Sequence, residues 1–293
     1  MLIIKKKGAL ATILDEHRRK GYSIGFVPTM GALHPGHLSL IQAAGVPNQV
    51  VVASIFVNPA QFNDPADFEK YPVTLGKDIE LLEQSACDVL FLPSVAEIYP
   101  NGWKNEPLYN LGFLETVFEG PFRPGHFQGV CQVMEQLLRM VGPDHLYMGQ
   151  KDYQQCMVVA RLLELMNSSC VLHTCPTLRE KDGLAMSSRN VRLSPADREA
   201  ASAIFQALRF IRDRLQPGEL STILTASKEI LTANRFKVDY LSIAHARSLA
   251  PVESWDGRQP LVALAAAFLH DVRLIDNMLI TAASEPNAVN AVN

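Results

Sequence analysis

The 293-residue sequence has no C-x-x-C pair, no long run of one charge sign, and no apolar stretch of membrane-spanning length. Each absence excludes something. The five cysteines, Cys87, Cys131, Cys156, Cys170 and Cys175, are scattered and odd in number. That fits a reducing compartment and argues against a disulfide framework or a zinc site. The net charge is −3, from 27 basic and 30 acidic residues, which argues against a general polyanion binder. Lys5-Lys6-Lys7 is the one basic cluster, and it reads as a solvated surface rather than a nucleic-acid contact. The longest apolar runs, 50–57 and 261–269, fall well short of the ~20 residues that cross a bilayer. Met1-Leu2-Ile3-Ile4-Lys5 is too short an apolar start for a signal peptide. The expectation is a cytoplasmic protein with neither a nucleic-acid nor a membrane partner. A small anionic substrate needs only a local positive site.

What is present is a hydrophobic share of 48%, enough for a sizeable core without staples or metals. The first part of the chain alternates strand and helix signals. Tyr22–Val27 is β-prone and ends in the turn signal Pro28-Thr29-Met30-Gly31. His37–Ala44 has helical spacing and is closed by Gly45 and Pro47. Val50–Val57 is rich in β-branched residues, as in a strand buried on both faces. This is a βαβ unit, so a parallel sheet is expected. Val73–Glu83, Phe127–Met140 and Asp152–Met166 continue as helices. Val89–Leu92, His145–Met148 and Ser169–Cys175 continue as strands, and 101–106 reads as a loop. Near residue 176 the character changes. Ser194-Pro195 with Asp197 reads as a helix cap, a first-position proline and a first-turn acid. One long helix is expected from Pro195 to about Arg214. Pro217-Gly218 ends it before another helix, and Phe236–Ile243 and Leu261–Ala267 read as strands. The fold class is therefore α/β. A Rossmann-like parallel-sheet domain is expected over 1–176, a smaller α+β lid domain over 177–283, and a disordered tail over 284–293.

The strongest chemical signal is Thr29-Met30-Gly31-Ala32-Leu33-His34-Pro35-Gly36-His37, which joins a strand to a helix. In open α/β sheets the carboxyl ends of strands carry ligands, and a helix N-terminus suits phosphate. Gly31 and Gly36 have P-loop spacing, but His37-Leu38 stands where Lys-Ser/Thr is required, so a Walker loop is rejected. No G-x-G-x-x-G lies near a strand. A histidine pair three residues apart remains, and its rings can lie on one side of the helix start. Imidazole N–H groups there can bond phosphate oxygens and balance charge on departing pyrophosphate. Taken alone, such a pair is more often surface or core filler.

Three further strings carry polar groups at element ends. Asn58 and Gln61 follow the second strand, where amides can bond a hydroxyl or carboxylate without adding charge. The bland alternative is an ordinary Asn-Pro turn. In Gly149-Gln150-Lys151-Asp152, Lys151 can reach phosphate and Asp152 can accept from a ribose hydroxyl, although a charged helix start is equally ordinary. Gln155 lies one turn beyond Lys151 on the same face. Met186-Ser187-Ser188-Arg189 lies in a loop before the Ser194 cap.

The first loop resembles the H-x-G-H signature of the nucleotidyltransferase superfamily, which includes class I aminoacyl-tRNA synthetases. The longer string from Pro28 to Leu38, with the four other strings in order, resembles the pantothenate synthetase family over about residues 1–280. That resemblance implies ATP-dependent ligation of pantoate and β-alanine through a pantoyl-adenylate, without a covalent enzyme intermediate. It implies an ATP site of Met30, Gly31, Ala32, Leu33, His34, Pro35, Gly36, His37, Gly149, Gln150, Lys151, Asp152, Leu178, Met186, Ser187, Ser188 and Arg189. Among these, His34, His37, Lys151, Ser187 and Arg189 would act on the phosphates, and the backbone of Leu178 would contact adenine. Gln61 and Gln155 would hold pantoate, with Asn58 beside them. Arg123, in Arg123-Pro124-Gly125-His126-Phe127, and Glu119 would order the acyl and amine pocket. The family uses Mg²⁺ on the triphosphate, with Asp78 as the candidate ligand by position, and is typically a homodimer. A nucleotidyltransferase adenylylating another small acid or a phosphate is the alternative. A phosphate acceptor would want more cations than the paired glutamines offer.

Overall fold

The computed structural model describes residues 1–62, 68–69, 71–103 and 108–280. The tail expected at 284–293 lies outside the described residues, as does part of the loop expected at 101–106. The chain divides into two units. Among the described residues, one comprises Met1–Gly149 and Gln154–Cys175; the other comprises Gln150–Tyr153 and 176–280.

The first unit is built on six strands: β1 (Leu2–Ile4), β2 (Ser23–Thr29), β3 (Gln49–Ile55), β4 (Val89–Phe91), β5 (His145–Gly149) and β6 (Val171–Cys175). They form one sheet in the order β1-β4-β3-β2-β5-β6, parallel at every pairing. The run starting at Val50 forms β3, buried at every position. Its alternate side chains enter two different cores. Val50 and Val52 pack with α1 (Lys7–Arg19), α4 (His126–Val141) and α5 (Tyr153–Leu165), through residues such as Leu10, Leu14, Val130 and Leu162. Val51, Ala53 and Ile55 pack with α2 (Pro35–Ala44) and α3 (Leu75–Glu83), through Leu40, Ile41 and Leu82. Full burial of each such aliphatic side chain contributes about 1.5–3 kcal/mol. Helices on both faces are what a parallel sheet requires. The chain steps outward from β2 through β3 to β4, then returns to the other side of β2 with β5. The order reverses at β2, and such a reversal opens a ligand crevice at the strands' carboxyl ends.

The second unit carries a three-stranded antiparallel sheet, order β11-β10-β8, made of β8 (Phe236–His245), β10 (Leu261–Leu269) and β11 (Val272–Ile280). A small pair joins β7 (Gly218–Glu219) to β9 (Ser254–Trp255). Its core gathers Ile204, Leu208, Ile211, Leu231, Phe236, Ile243 and Ala265. Ser194 caps its helix as expected, accepting from the N–H of Asp197. The single long helix expected from Pro195 is instead two, α6 (Pro195–Ala200) and α7 (Ala203–Arg214), followed by α8 (Ser221–Ala233). Ala201 and Ser202 between them keep right-handed helical dihedrals. The interruption is thus a tightening of the ladder, with Ile204 N–H bonding Ala201 O three residues back. Strands β1 and β11 and helix α1 are not expected from the sequence pattern. Among the described residues, no helix is long and apolar enough to cross a membrane.

Candidate active site

The loop after β2 is shaped by one buried carboxylate. Thr29 ends the strand by donating its hydroxyl to Ser54 O at 2.7 Å and accepting from Gly31 N–H. Gly31 then turns with φ +83° and Ala32 with φ +49°, a left-handed pair that glycine admits freely and alanine only when held. Asp78 does the holding. Its Oδ2 accepts from Ala32 N–H at 2.9 Å and its Oδ1 from Leu33 N–H at 2.8 Å. The Thr74 hydroxyl donates to Oδ1 as well. A Cβ at Gly31 would sit 3.1 Å from Asp78 Oδ2, so glycine also admits the carboxylate. Asp78 is 1% exposed, with both oxygens engaged. In this structure its work is to hold the loop.

The same loop opens α2 with its two histidines. His34 is the N-cap, and Pro35 takes the first helical position, where no N–H is needed. His34 Nδ1 accepts from Gly36 N–H at 3.1 Å, and His37 Nδ1 accepts from His34 N–H at 3.3 Å. An Nδ1 that accepts places the neutral ring's proton on Nε2. Both imidazoles therefore carry Nε2–H donors, at the positive end of a helix dipole. Their ring centroids are 4.0 Å apart and both residues are half-buried.

Gln61 ends the short turn Pro59–Gln61 after β3. Its Nε2 donates to the Met30 sulfur and its Oε1 accepts from Asn58 Nδ2. Each atom retains one further hydrogen bond by valence. Asn58 is 1% exposed and fully engaged. Its Nδ2 donates to Gln61 Oε1 and Gly129 O, and its Oδ1 accepts from Ala60 N–H and the Tyr99 hydroxyl. Asn58 thereby orients Gln61. His126 Nδ1 bonds Gln61 O at 2.8 Å. Gly129, within α4, lets the turn approach so closely that a Cβ there would lie 2.1 Å from Ala60 O.

Gln155 is half-buried in the first turn of α5. Its neighbour Gln154, unassigned from sequence, is 4% exposed and pins a distant segment. It donates to Leu114 O and Val117 O and accepts from Glu119 N–H. That segment includes Phe118 at φ +48°, a strained conformation that needs such support. Glu119 is buried, and Arg123 approaches it at 3.9 Å. Thr74, Tyr99, Gly129 and Gln154 are not singled out by the sequence. Only Gly129 has a local signal, a glycine inside a helical pattern.

Gly149 ends β5 in the first unit, and the remaining candidates belong to the second. Lys151 and Asp152 lie in the single turn Gln150–Asp152. Met186 N–H bonds Leu178 O at 3.0 Å, and Arg179 bridges Ala185, so 178–186 folds back on itself. Ser187 caps the turn Ser188–Arg192, its Oγ accepting from Arg189 N–H at 3.2 Å. A hydroxyl that accepts can still donate one hydrogen bond of its own.

Thiol chemistry is suppressed: burial pushes Cys87 up to about 11 and Cys131 and Cys170 up to about 12. All five cysteines are free. Among the described residues, no group of three or more His, Cys, Asp or Glu side chains could hold a metal ion.

Comparison with known proteins is consistent along the chain. A family model described as pantoate-beta-alanine ligase matches residues 2–279. The pantothenate synthetase of Cytophaga hutchinsonii is 42% identical over 285 residues, 96% of this chain and 99% of that protein. The crystal structure of pantothenate synthetase from Thermus thermophilus matches with a TM-score of 0.85 at 40% identity, covering 95% of this chain and 99% of that one. A pantoate-beta-alanine ligase from Francisella tularensis, complexed with beta-gamma ATP and beta-alanine, gives 0.76 at 36% identity, covering 95% and 97%.

Proposed function

The chain belongs to the pantoate-beta-alanine ligase family, and from that premise we propose that it makes pantothenate by way of a pantoyl-adenylate. The overall reaction joins pantoate to β-alanine at the expense of ATP. A free carboxylate resists attack by an amine because its leaving group is poor. In the first step a pantoate carboxylate oxygen attacks the α-phosphorus. The bond to the bridging oxygen breaks and pyrophosphate leaves. In the second step the β-alanine nitrogen attacks the acyl carbon, the bond to AMP breaks, and the nitrogen loses a proton. Electrons and atoms balance with pantothenate, AMP and pyrophosphate as products.

The observation that carries this reading is the pair of Nε2–H imidazoles at the start of α2. Donors fixed before the reaction stabilise developing charge without reorganising, and one such donor is worth about 10²–10³ in rate. His34 and His37 would meet the phosphate oxygens. Lys151 would neutralise the triphosphate, Ser187 would donate its hydroxyl proton, and Arg189 would supply a fork of N–H groups. Gln61 and Gln155 would hold pantoate by their amides, and Arg123 with Glu119 would shape the acyl and amine pocket. Met30 to Pro35, Gly36, Gly149, Gln150, Asp152, Leu178, Met186 and Ser188 would line the nucleotide. Mg²⁺ belongs with the triphosphate in this proposal. The described residues form no carboxylate cluster for the ion, and none of the steps above is routed through it. Five free thiols support a cytoplasmic location, and the family resemblance supports a homodimer, which sedimentation would test.

The deciding experiment is pantoate-dependent ATP–pyrophosphate exchange without β-alanine. Exchange that requires pantoate is expected, with His37→Ala lowering it more than tenfold while the far-ultraviolet spectrum is unchanged. Pantoate-independent exchange, or none at all with ATP still bound, would refute the adenylate. Near-normal turnover in His37→Ala would refute the role of that ring.

A further inference from the structure

Lys151 sits in a turn only three residues long, so something outside the turn must fix where its side chain starts. The second unit supplies it from the other end of the sequence. Asn277, 2% exposed in β11, uses its whole side-chain amide on this turn. Its Nδ2 donates to Gln150 O and to Lys151 O, both at 2.9 Å. Its Oδ1 accepts from Gln150 Nε2 at 3.1 Å. In an extended chain two successive carbonyls point to opposite sides; here one NH₂ group gathers both, which defines the turn's backbone.

Asn277 is itself held. It pairs with Leu264 across the sheet, and its carbonyl accepts from Arg179 Nη2 at 3.2 Å. The preceding residue, Asp276, is equally buried, and Arg179 grips it with both nitrogens at 2.6 and 3.0 Å. Arg179 Nη1 also donates to Gly183 O. The Arg179 guanidinium lies 4.6 Å from the centre of the Phe205 ring, and any Cβ on Gly183 would collide with that ring at 2.1 Å. Burial pushes the Asp276 carboxyl up, while the charges of Arg179 and, to a smaller extent, Lys151 oppose that rise. Two adjacent residues of one strand thus anchor two separate segments. Asp276 anchors the fold-back that leads to Ser187 and Arg189, and Asn277 anchors the turn that carries Lys151.

We propose that Asn277 is a positioning residue for the adenylation step, acting on ATP only through the backbone of Gln150 and Lys151. The proposal rests on the reading of Lys151 as a phosphate-binding side chain. A side chain displaced by even 1 Å from its productive position costs up to about 10² in rate.

The test is a double-mutant cycle read by pantoate-dependent ATP–pyrophosphate exchange, using Lys151→Ala, Asn277→Ala and the double variant. Asn277→Ala alone is expected to lower kcat about tenfold or more, with the KM for pantoate within twofold of the parent. In the Lys151→Ala background the same change is expected to have less than a twofold effect, because the side chain it positions is gone. Leu231→Ala, which opens a cavity in the same unit's core away from the turn, controls for stability. It should lower the thermal midpoint and leave kcat within twofold. Asn277→Ser, a smaller loss, gives the same reading should the alanine variant fold poorly. Equal losses from Asn277→Ala in both backgrounds would overturn the proposal, as would a kcat within twofold of the parent. A Lys151→Ala enzyme with parental exchange would overturn the reading of Lys151, and the proposal with it.

Discussion

Gly129→Ala sets two opposed effects against each other, and the structure decides the sign. Gly129 lies inside helix α4 (His126–Val141). On propensity alone, alanine there should stabilise the helix by about 0.5–1 kcal/mol. The added Cβ, however, would meet Ala60 O at 2.1 Å, Ala60 C at 2.5 Å and Gln61 Cα at 2.7 Å. These are backbone atoms and cannot rotate away. Relief requires the turn Pro59–Gln61 to move off the helix by about 1 Å, and overpacking of that kind costs about 1–3 kcal/mol. The displacement also strains the bonds from Asn58 Nδ2 to Gly129 O and between His126 Nδ1 and Gln61 O, each worth about 1 kcal/mol. The net expectation is a loss of about 1–4 kcal/mol, read from urea unfolding midpoints. Because Gln61 moves with the turn, the KM for pantoate should rise about fivefold for each kcal/mol by which pantoate binding weakens. A variant as stable as the parent, or more stable, would refute the steric argument. A destabilised variant with an unchanged pantoate KM would refute the assignment of Gln61.

Asp78→Asn replaces one acceptor oxygen by an NH₂ group facing a backbone N–H. It should cost about 1.5–3 kcal/mol and depress exchange, while the Mg²⁺ concentration at half-maximal exchange stays at the parental value; a large shift in that value would mean that Asp78 ligates the ion. Arg179→Ala strands the buried Asp276 carboxylate and should destabilise the protein by about 3–5 kcal/mol, seen as an earlier thermal transition; a midpoint near the parent's would contradict the anchoring role. His173, stacked on Tyr147 and bonded to His145 at 3.0 Å, has its pKa lowered from 6.5, first by burial and then by the neighbouring His145. The unfolded chain then binds the proton more readily, so stability is complete above pH 6.5 and falls as the pH drops below it. His173→Phe should flatten that fall in the thermal midpoint between pH 7 and 5.5, and an identical slope in both proteins would exclude this histidine as the cause.

The sheet is legible in the sequence where burial is two-sided and long. Val50–Val57 announces β3 because a parallel central strand, buried on both faces, calls for a near-continuous apolar run. Strand β1 gives no such signal: it has three residues, two of them exposed, too short a window for periodicity to register. The stretch from Pro195 to Arg214 reads as one continuous helix because its periodicity survives the break. Ala201 and Ser202 stay in helical dihedrals, so the sequence pattern is the same on both sides.

The site shows the same division between local and remote causes. The histidine pair is legible because its hydrogen bonds close within four residues, His34 to Gly36 and His37 to His34. The roles of Asp78 and Asn58 escape a sequence reading because each is set by partners far along the chain. Asp78 serves Ala32 and Leu33, more than forty residues away, and a carboxylate facing backbone N–H groups looks in sequence like one facing a metal. Strand β11 is the sharpest instance. Its apolar run, Val272 to Ile280, is interrupted by Asp276 and Asn277 at the centre, and buried polar residues in mid-strand erase the strand pattern. Such residues persist in a core only when their hydrogen bonds are filled, and here those bonds reach Arg179, Gln150 and Lys151. The positions that hide the strand are therefore the ones that tie it to the two segments proposed to meet phosphate.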